Sequence, residues 1–594
     1  MESVRVHPME RSARVSWGSS AWDRVAGGNA AAFFFAWLIG FAVLAVSLVI
    51  LWTSFNPGRP FELRFGFDNY IKALDQSLFA EVLPNTILVG LGTVATVFFF
   101  GFPLAWLLNR TNLPMRAFCI SLIAVSVIVP GLVKAMGWII LLSPQVGLIN
   151  QFLVNIFGLE SAPFDINSIG GIAFIQGLML TPTLFFLLSG PMRSMDPALE
   201  EAASVSGAST WTSARWITFA LLRPAVLGGV IYTFMTAIAI FEVPALLGGF
   251  ADRPVLATRL YVAVRPPGGF AAVNYGIAGV YGLLITVPSL VALYFYFRTI
   301  QQSHRYAVIT GKAYRPKIYD LGKSWPMGLL FVLLYMTLAV FLPLVVLVWL
   351  SLLPSVRMPS VEALSLVSLR WYRDIFFLVG GFEVIRNTSA LVLTTSVLVL
   401  GFSFMVSWIV VRTRLPGRRA LDTIAMLPHA IPGLAFAFGL LIIGILGVRL
   451  IPWLPFYNTI WIMVAANLLN RLSYGTRITN AAFVQIGQEL EDAAAVCGAR
   501  KSTTMLRVIV PLVGSGLTFA GLWTALLVFR EVSIPLLLLG PNNKVLATQI
   551  WVLWESGHVA QASAVSVVLV SVMAALLILI QKLTGRIGAA QQLA

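Results

Sequence analysis

Charge is what this sequence has least of. Only 11% of its 594 residues are Asp, Glu, Lys or Arg, against about 25% in an ordinary soluble domain, and 58% are hydrophobic. A soluble enzyme is excluded by that balance. Cysteine is nearly absent: Cys119 and Cys497 stand alone in different halves of the chain, so neither a disulfide framework nor a thiolate metal site has the residues it needs. The four histidines, His7, His304, His429 and His558, share no ligand spacing, so no protein metal centre can be argued. A phosphate-cradling Gly-rich loop is missing too. Gly322-Lys323-Ser324 looks like the end of one, but Lys317 occupies the place of its first glycine, and the segment runs into an apolar stretch.

What is present is a succession of apolar runs of about 20 residues, the length needed to cross a bilayer. They fall near 31–53, 86–108, 117–142, 170–190, 224–247 and 273–298, and again near 327–350, 388–411, 419–446, 457–474, 512–538 and 560–581. The fold class expected is an all-α membrane protein of twelve transmembrane helices. Lys plus Arg exceed Asp plus Glu by 40 to 24, and the excess reads as basic loops facing the cytoplasm and not as a nucleic-acid surface. Arg5, Arg11, Arg14 and Arg24 precede the first run, which lacks a small-residue cleavage site and therefore reads as an anchor with a cytoplasmic N-terminus. The even-numbered loops carry Arg110 and Arg116, then Arg193, Arg215 and Arg223, then Arg305, Lys312, Arg315, Lys317 and Lys323. The third loop, 143–169, has no Lys or Arg, as an external loop would. Both termini are expected inside, although Arg253, Arg259 and Arg265 make the 247–272 loop a mild exception.

The chain repeats itself. Asn85-Thr86 recurs as Asn387-Thr388, Arg110-Thr-Asn-Leu-Pro114 as Arg412-Thr-Arg-Leu-Pro416, and Pro130-Gly-Leu132 as Pro432-Gly-Leu434, all 302 residues apart. Later matches, Gly207 to Gly498 and Pro244 to Pro535, are 291 apart, and Val255-Leu-Ala-Thr258 to Val545-Leu-Ala-Thr548 are 290 apart. A shorter third loop in the second half accounts for the drop. Two six-helix units are therefore fused in tandem with the same orientation, a parallel repeat. The expected organisation is a tail at 1–30, a first transmembrane domain at 31–298, a basic linker at 299–326, a second transmembrane domain at 327–585 and a tail at 586–594.

The fourth loop of each unit holds a related stretch: Glu200-Glu201-Ala202-Ala203 leading to Gly207, and Glu491-Asp492-Ala493-Ala494 leading to Gly498. Acidic residues before small alanines suit the start of a short helix, because carboxylates favour the N-terminal end of the helix dipole and alanine lets another surface approach closely. A glycine after it can take a positive φ and turn the chain into the next helix, whose Arg215, or Arg500 and Lys501, would face the cytoplasm. An amphipathic linker between spans would share this composition, but two copies at equivalent places favour docking.

These stretches resemble the EAA loop of binding-protein-dependent ABC importer permeases: Glu-Ala-Ala, three residues, Gly, nine residues, Ile, one residue, Leu-Pro. Glu201, Ala202, Ala203, Gly207 and Ile217 fit the first copy; Asp492, Ala493, Ala494, Gly498 and Pro511 fit the second, with Val508 for Ile and Val510 for Leu. Asp492 departs from the usual Glu, and Phe219-Ala220 replaces Leu-Pro, which predicts a less sharply broken start to the fifth span. The resemblance implies a fused, type I importer permease of the bacterial inner membrane, nearest the ferric-iron, thiamine and aminoethylphosphonate group. It further implies two copies of a cytoplasmic ABC ATPase holding the paired loops, a periplasmic solute-binding protein, and no cofactor on this chain, ATP and Mg being bound by the partner. Glu201 and Asp492 are then coupling residues, not catalytic ones.

Ionisable side chains within a bilayer are costly and need a reason. Lys134, Glu242, Arg530 and Glu531 fall in the outer halves of the third, fifth and eleventh spans. They are candidates for a charge network at an outer gate, for contacts to an acidic solute, or for structural ion pairs between helices. Asn470 and Arg471 are expected to anchor at the membrane interface, and Pro130, Pro182, Pro244, Pro432 and Pro535 to interrupt spans. An ion-gradient-driven secondary carrier is the alternative reading. It needs proton or sodium sites near the midplane, whereas acidic residues within the spans are sparse and the cytoplasmic loops are duplicated.

Overall fold

In the computed structural model the chain is described over residues 30–593, apart from 61, 63, 251, 267–271, 304–317, 414, 454–455 and 488. The basic N-terminal tail and most of the basic linker, with Arg5, Arg11, Arg14, Arg24, Arg305, Lys312, Arg315, Lys317, His7 and His304, lie outside the described residues.

The main helices of the first half are α1 (Ala30–Phe55), α2 (Leu83–Arg110), α3 (Arg116–Ile128), α4 (Gly131–Leu142), α5 (Ile169–Arg193), the short α6 (Pro197–Val205), α7 (Phe219–Ala239), α8 (Glu242–Leu247), α9 (Leu256–Val264) and α10 (Tyr275–Ser303), with shorter pieces at Asp68–Ala73, Leu148–Phe157 and Thr210–Ser213 between them. The second half has α11 (Trp325–Met336) and α12 (Leu342–Ser351) joined by a π turn, then α13 (Phe382–Arg412), α14 (Arg418–Ala430), α15 (Gly433–Leu450), α16 (Ile460–Val484), α17 (Glu489–Val496), α18 (Val510–Phe529), α19 (Ser533–Leu537), α20 (Leu546–Glu555) and α21 (Val559–Leu593). Among the described residues there is no strand, only an isolated bridge between Thr111 and Tyr319. Gly322-Lys323-Ser324 forms a 3-10 turn running straight into α11.

Nine described helices are long and apolar enough to cross a membrane, or eleven if each of two bent pairs counts as one span. Of the expected twelve runs, the one at 457–474 is not recognised as a span by composition: α16 is there and long, but Asn467, Asn470, Arg471, Arg477 and Asn480 make it polar. The run expected at 117–142 is not one helix but α3 and α4, bent by 92°. Proline sets the break. Val129 precedes Pro130 and is pushed into extended backbone, as Ile431 is before Pro432 between α14 and α15. Likewise the run at 224–247 breaks after Ala239, where Ile240 is extended, and resumes as α8.

The duplication is visible atom by atom. In each half the Asn-Thr pair near the start of the long second helix latches the loop before α9 or α20. Asn85 donates to the carbonyl of Pro254 (3.2 Å), Asn387 to that of Lys544 (3.2 Å). The hydroxyls of Thr86 and Thr388 accept from the backbone of Leu256 (3.0 Å) and Leu546 (2.9 Å). π turns occur at Ala214–Thr218 and Met505–Ile509, again in register.

The halves are interlocked by their first helices. α1 packs against α14 and α15 of the second half, and α12 packs against α4 of the first. Glycine makes both crossings close: a Cβ on Gly137 would lie 2.6 Å from the Cα of Pro343, and one on the equivalent Gly439 would lie 2.9 Å from the carbonyl oxygen of Val46. Overpacking of this kind costs about 1–3 kcal/mol, so Gly137→Ala and Gly439→Ala are each expected to lower the thermal unfolding midpoint of the detergent-purified chain. Gly401→Ala, where nothing lies within 4 Å, is the control and should not lower it.

Candidate functional site

The short helices α6 and α17 carry the duplicated acidic-alanine stretch. α6 starts at Asp196, whose carboxylate accepts from the backbone of Ala198 (2.9 Å), with Pro197 in the first turn. This start signal lies before the Glu pair and was not part of the sequence pattern. Both helices end alike. Gly207 has φ +83° and Gly498 φ +76°. Their amides bond to Ser204 (3.0 Å) and Ala495 (3.0 Å), and those of Ala208 and Ala499 bond to Ala203 (2.9 Å) and Ala494 (3.0 Å). No neighbour lies within 4 Å of a Cβ built at either glycine, so the left-handed backbone, not space, calls for glycine there.

Each helix has a held face and a free face. Glu200 is buried and pairs with Arg110, the last residue of α2; Glu491 pairs with Arg412, the last residue of α13, at 3.3 Å. These arginines are the repeat-related pair 302 residues apart, and the glutamates the pair 291 apart. The two motifs meet in the structure, a link that neither motif announces by itself. Glu201, Ala202 and Val205, with Asp492, Ala493 and Val496, turn the other way and are exposed. Ile217 is half-buried in its π turn, and Pro511 is exposed at the start of α18.

The two couples differ in what surrounds them. The guanidinium of Arg110 lies beside the stacked rings of Trp106 and Tyr319, at 5.8 and 5.7 Å from centroids that are themselves 5.6 Å apart, so that π electrons stand in for water on that side. Glu200 also accepts from Thr218 Oγ1 (2.6 Å) and Tyr319 Oη (3.1 Å). Burial and the Glu200 carboxylate push the Tyr319 phenol up from its usual range, so it stays protonated and able to donate. The backbone of Tyr319 bonds to Arg110 (2.7 Å) and Asn112 (3.1 Å), and Asn112 donates to Asp320 (2.6 Å). The end of the central linker is thereby clamped onto the first couple. Arg412 instead donates to the carbonyls of Phe483 (2.9 Å) and Ile486 (2.6 Å), and Glu491 stays partly open to water.

The four ionisable residues expected at an outer gate all stand at helix breaks. Lys134, in the first turn of α4 and fully buried, donates to the carbonyl and hydroxyl of Ser126 at the end of α3 (3.0 and 3.1 Å). Arg530, just past α18, reaches from the other half to the carbonyl of Val127. Glu242 begins α8 and accepts from Ser533 (3.1 Å), its repeat-related counterpart. Glu531 pairs with Arg471 and accepts from the backbone of Ile534 (3.4 Å). Cations at a helix C-terminus supply donors to carbonyls that the break has freed, which is what a bilayer requires. Lys134 and Arg530 therefore meet backbone oxygen and not Glu242 or Glu531, and Arg471 lies inside the bundle in an ion pair, not at the membrane interface. His429 stacks on Tyr232 of the first half (5.8 Å) and meets the edge of Tyr474 (5.2 Å). Among the described residues no group of three or more His, Cys, Asp or Glu could hold a metal ion.

Residues 398–588 match the family described as binding-protein-dependent transport system inner membrane component. The chain is 25% identical over 561 residues to the ferric transport system permease protein FbpB of Actinobacillus pleuropneumoniae, spanning 92% of this chain and 77% of that one. It is also 25% identical over 521 residues to a putative ferric transport system permease protein FbpB 1 of Haemophilus influenzae, spanning 86% and 77%. A third relative, the spermidine/putrescine transport system permease protein PotB of Escherichia coli, is 30% identical over 218 residues, 36% of this chain and 78% of its own.

Removing one partner of a buried ion pair costs about 3–5 kcal/mol, because the other charge is left without compensation; a partly exposed pair is worth about 1 kcal/mol or less. Glu200→Gln should accordingly depress the unfolding midpoint well beyond Glu491→Gln in the detergent-purified chain. Equal shifts would contradict the difference between the two couples.

Proposed function

The chain belongs to the family of binding-protein-dependent transport system inner membrane components, and on that premise we propose that it couples ATP hydrolysis on partner subunits to import of a small solute. As a multi-pass permease of the inner membrane it is a transport subunit, not an enzyme. The reading beyond that rests on one observation, the mirrored free faces of α6 and α17.

Leu199, Ala202 and Val205 recur at helical spacing on α6, and Leu490, Ala493 and Val496 repeat them on α17. Val205 is 90% exposed and Val496 89%. Fully burying a valine or leucine is worth about 1.5–3 kcal/mol, so two identical apolar stripes left in water fit two identical partner surfaces. Glu201 and Asp492 lie beside them as charges for a basic edge. Two copies of a cytoplasmic ABC ATPase meet this requirement, with ATP and Mg held there. Closure of the two copies would draw α6 and α17 together. Because Arg110 and Arg412 tie those helices to the ends of α2 and α13, the two halves would rock and open the opposite side to a loaded periplasmic binding protein. In this orientation both termini are cytoplasmic. Ferric iron is the solute favoured, since the two ferric permeases are similar to this chain over most of its length.

Val205→Asp combined with Val496→Asp should abolish co-purification of the ATPase while changing the chain's own stability by no more than about 0.5 kcal/mol, as expected for surface positions. Undiminished co-purification from co-expressing cells would remove these stripes as the docking surface.

A further inference from the structure

Where the linker reaches the second half, it is bonded to the first. The amide of Tyr319 donates to the carbonyl of Arg110 (2.7 Å), its carbonyl accepts from the amide of Asn112 (3.1 Å), and Thr111 and Tyr319 pair as a parallel bridge. Asn112 closes the segment with its side chain, donating to Asp320 (2.6 Å) and accepting from the amide of Leu321 (2.9 Å). A surface connection ordinarily leaves its backbone groups to water; these bonds instead fix 319–321 to the end of α2. One 3-10 turn later α11 begins at Trp325, and it lies along the first half. Phe331 meets Phe99 and Phe100 (6.2 and 5.8 Å), and Tyr335 donates to the carbonyl of Leu178 in α5 (3.1 Å).

The side chain of Tyr319 joins this segment to α6. Its hydroxyl donates to Oε2 of Glu200 (3.1 Å), while Oε1 takes Arg110 and Thr218 Oγ1 (2.6 Å), so both carboxylate oxygens are held. Among the described residues Nε and Nη1 of Arg110 have no hydrogen-bond partner, which leaves the guanidinium joined to Glu200 through Nη2 alone. A pair with a single contact can swing about it. A bond to the other oxygen, from a group anchored by its own backbone, removes that freedom in the way a bidentate pair does. In the second couple Arg412 lies 3.3 Å from Glu491, and among the described residues no hydroxyl bonds to that carboxylate.

We propose that Tyr319 is a positioning residue for the first docking helix, and that through it the linker end makes α6, the end of α2 and the start of α11 move as one body. The phenol keeps the Glu200 carboxylate on Arg110 when the free face of α6 is pulled, and the backbone bonds of 319–321 pass the same displacement to α11. The stroke of one ATPase copy then reaches the opening helix of the second half, a route for which the second couple shows no counterpart among the described residues. The proposal rests on the importer reading above and adds to it a residue and a route.

The test places spin labels at Ser204→Cys, exposed and one turn from Glu200 on α6, and at Lys323→Cys, exposed just before α11. The full chain carries Cys497→Ser as well, Cys119 being buried, and the distance is read by pulsed electron paramagnetic resonance in lipid nanodiscs. The native chain alone should give one narrow distance. Tyr319→Phe keeps the ring beside Arg110 and removes only the hydroxyl, so the population with the couple apart, seen as a second distance, should rise about tenfold or more, the loss expected for one hydrogen bond to a charged acceptor. A second pair, Asp252→Cys and Asn542→Cys on outer loops of the two halves, reads opening in the complex with its co-purifying ATPase after trapping with ATP and vanadate. There Tyr319→Phe should lower the opened fraction below that of the native complex. A 204–323 distribution that Tyr319→Phe leaves unchanged, or an opened fraction it leaves undiminished, would overturn the proposal, whatever the variant does to the unfolding midpoint. If the native complex does not open on trapping, the importer reading fails, while the 204–323 distance, read on the chain alone, still decides whether Tyr319 holds the couple.

Discussion

A helix of nine residues between membrane spans cannot hold a position by itself, since fewer than about 12–15 residues are marginal as a free helix in water. What holds α6 is the guanidinium of Arg110 against the carboxylate of Glu200, and what holds α17 is Arg412 against Glu491. Each pair fixes one face of its helix to the last residue of a long span and so decides which face is left over. Because the next residue along, Glu201 or Asp492, points the other way, the stripes led by Val205 and Val496 stand in water. The same contact ties each short helix to the end of α2 or α13. The first joint is the tighter one, closed by Tyr319 from the linker; the second is open to water, so the halves share a design but not a stiffness.

A second constraint shapes the outer part of the molecule. Wherever a span breaks inside the bilayer, freed carbonyls and amides must find partners in the protein. Lys134, Arg530, Glu242 and Glu531 each stand at such a break, and Arg530, Glu242 and the Ser126–Tyr335 contact (3.1 Å) make their bonds across the seam. These polar contacts and the close glycine crossings lie within one hydrophobic core that runs through both halves, so they fix the register in which the halves meet.

The repeat was legible because its signals are local: the Asn-Thr, Arg-Thr, Pro-Gly and glycine landmarks recur in order, and the positive φ of Gly207 and Gly498 follows from residue type and place. The all-helical class followed from composition. What could not be read depends on geometry between distant residues. Nothing in the linker marks Tyr319 as the cover of a buried arginine, and the partnership of Arg110 with Glu200 is visible only once α2 and α6 are folded together. The run at 457–474 marked α16, but the continuation of that helix to Val484, through Arg477 and Asn480, shows no apolar run. Ionisable residues within the spans stood out as needing partners, but backbone oxygen is a partner that no motif displays.

The chain carries its own probe of the central claim. Of its two cysteines Cys119 is buried and Cys497, beside Val496 at the end of α17, is exposed. A membrane-impermeant maleimide should label Cys497 in inside-out vesicles holding the chain alone, and labelling should fall sharply when the nucleotide-hydrolysing partner is co-expressed. Equal labelling with and without that partner would contradict the account.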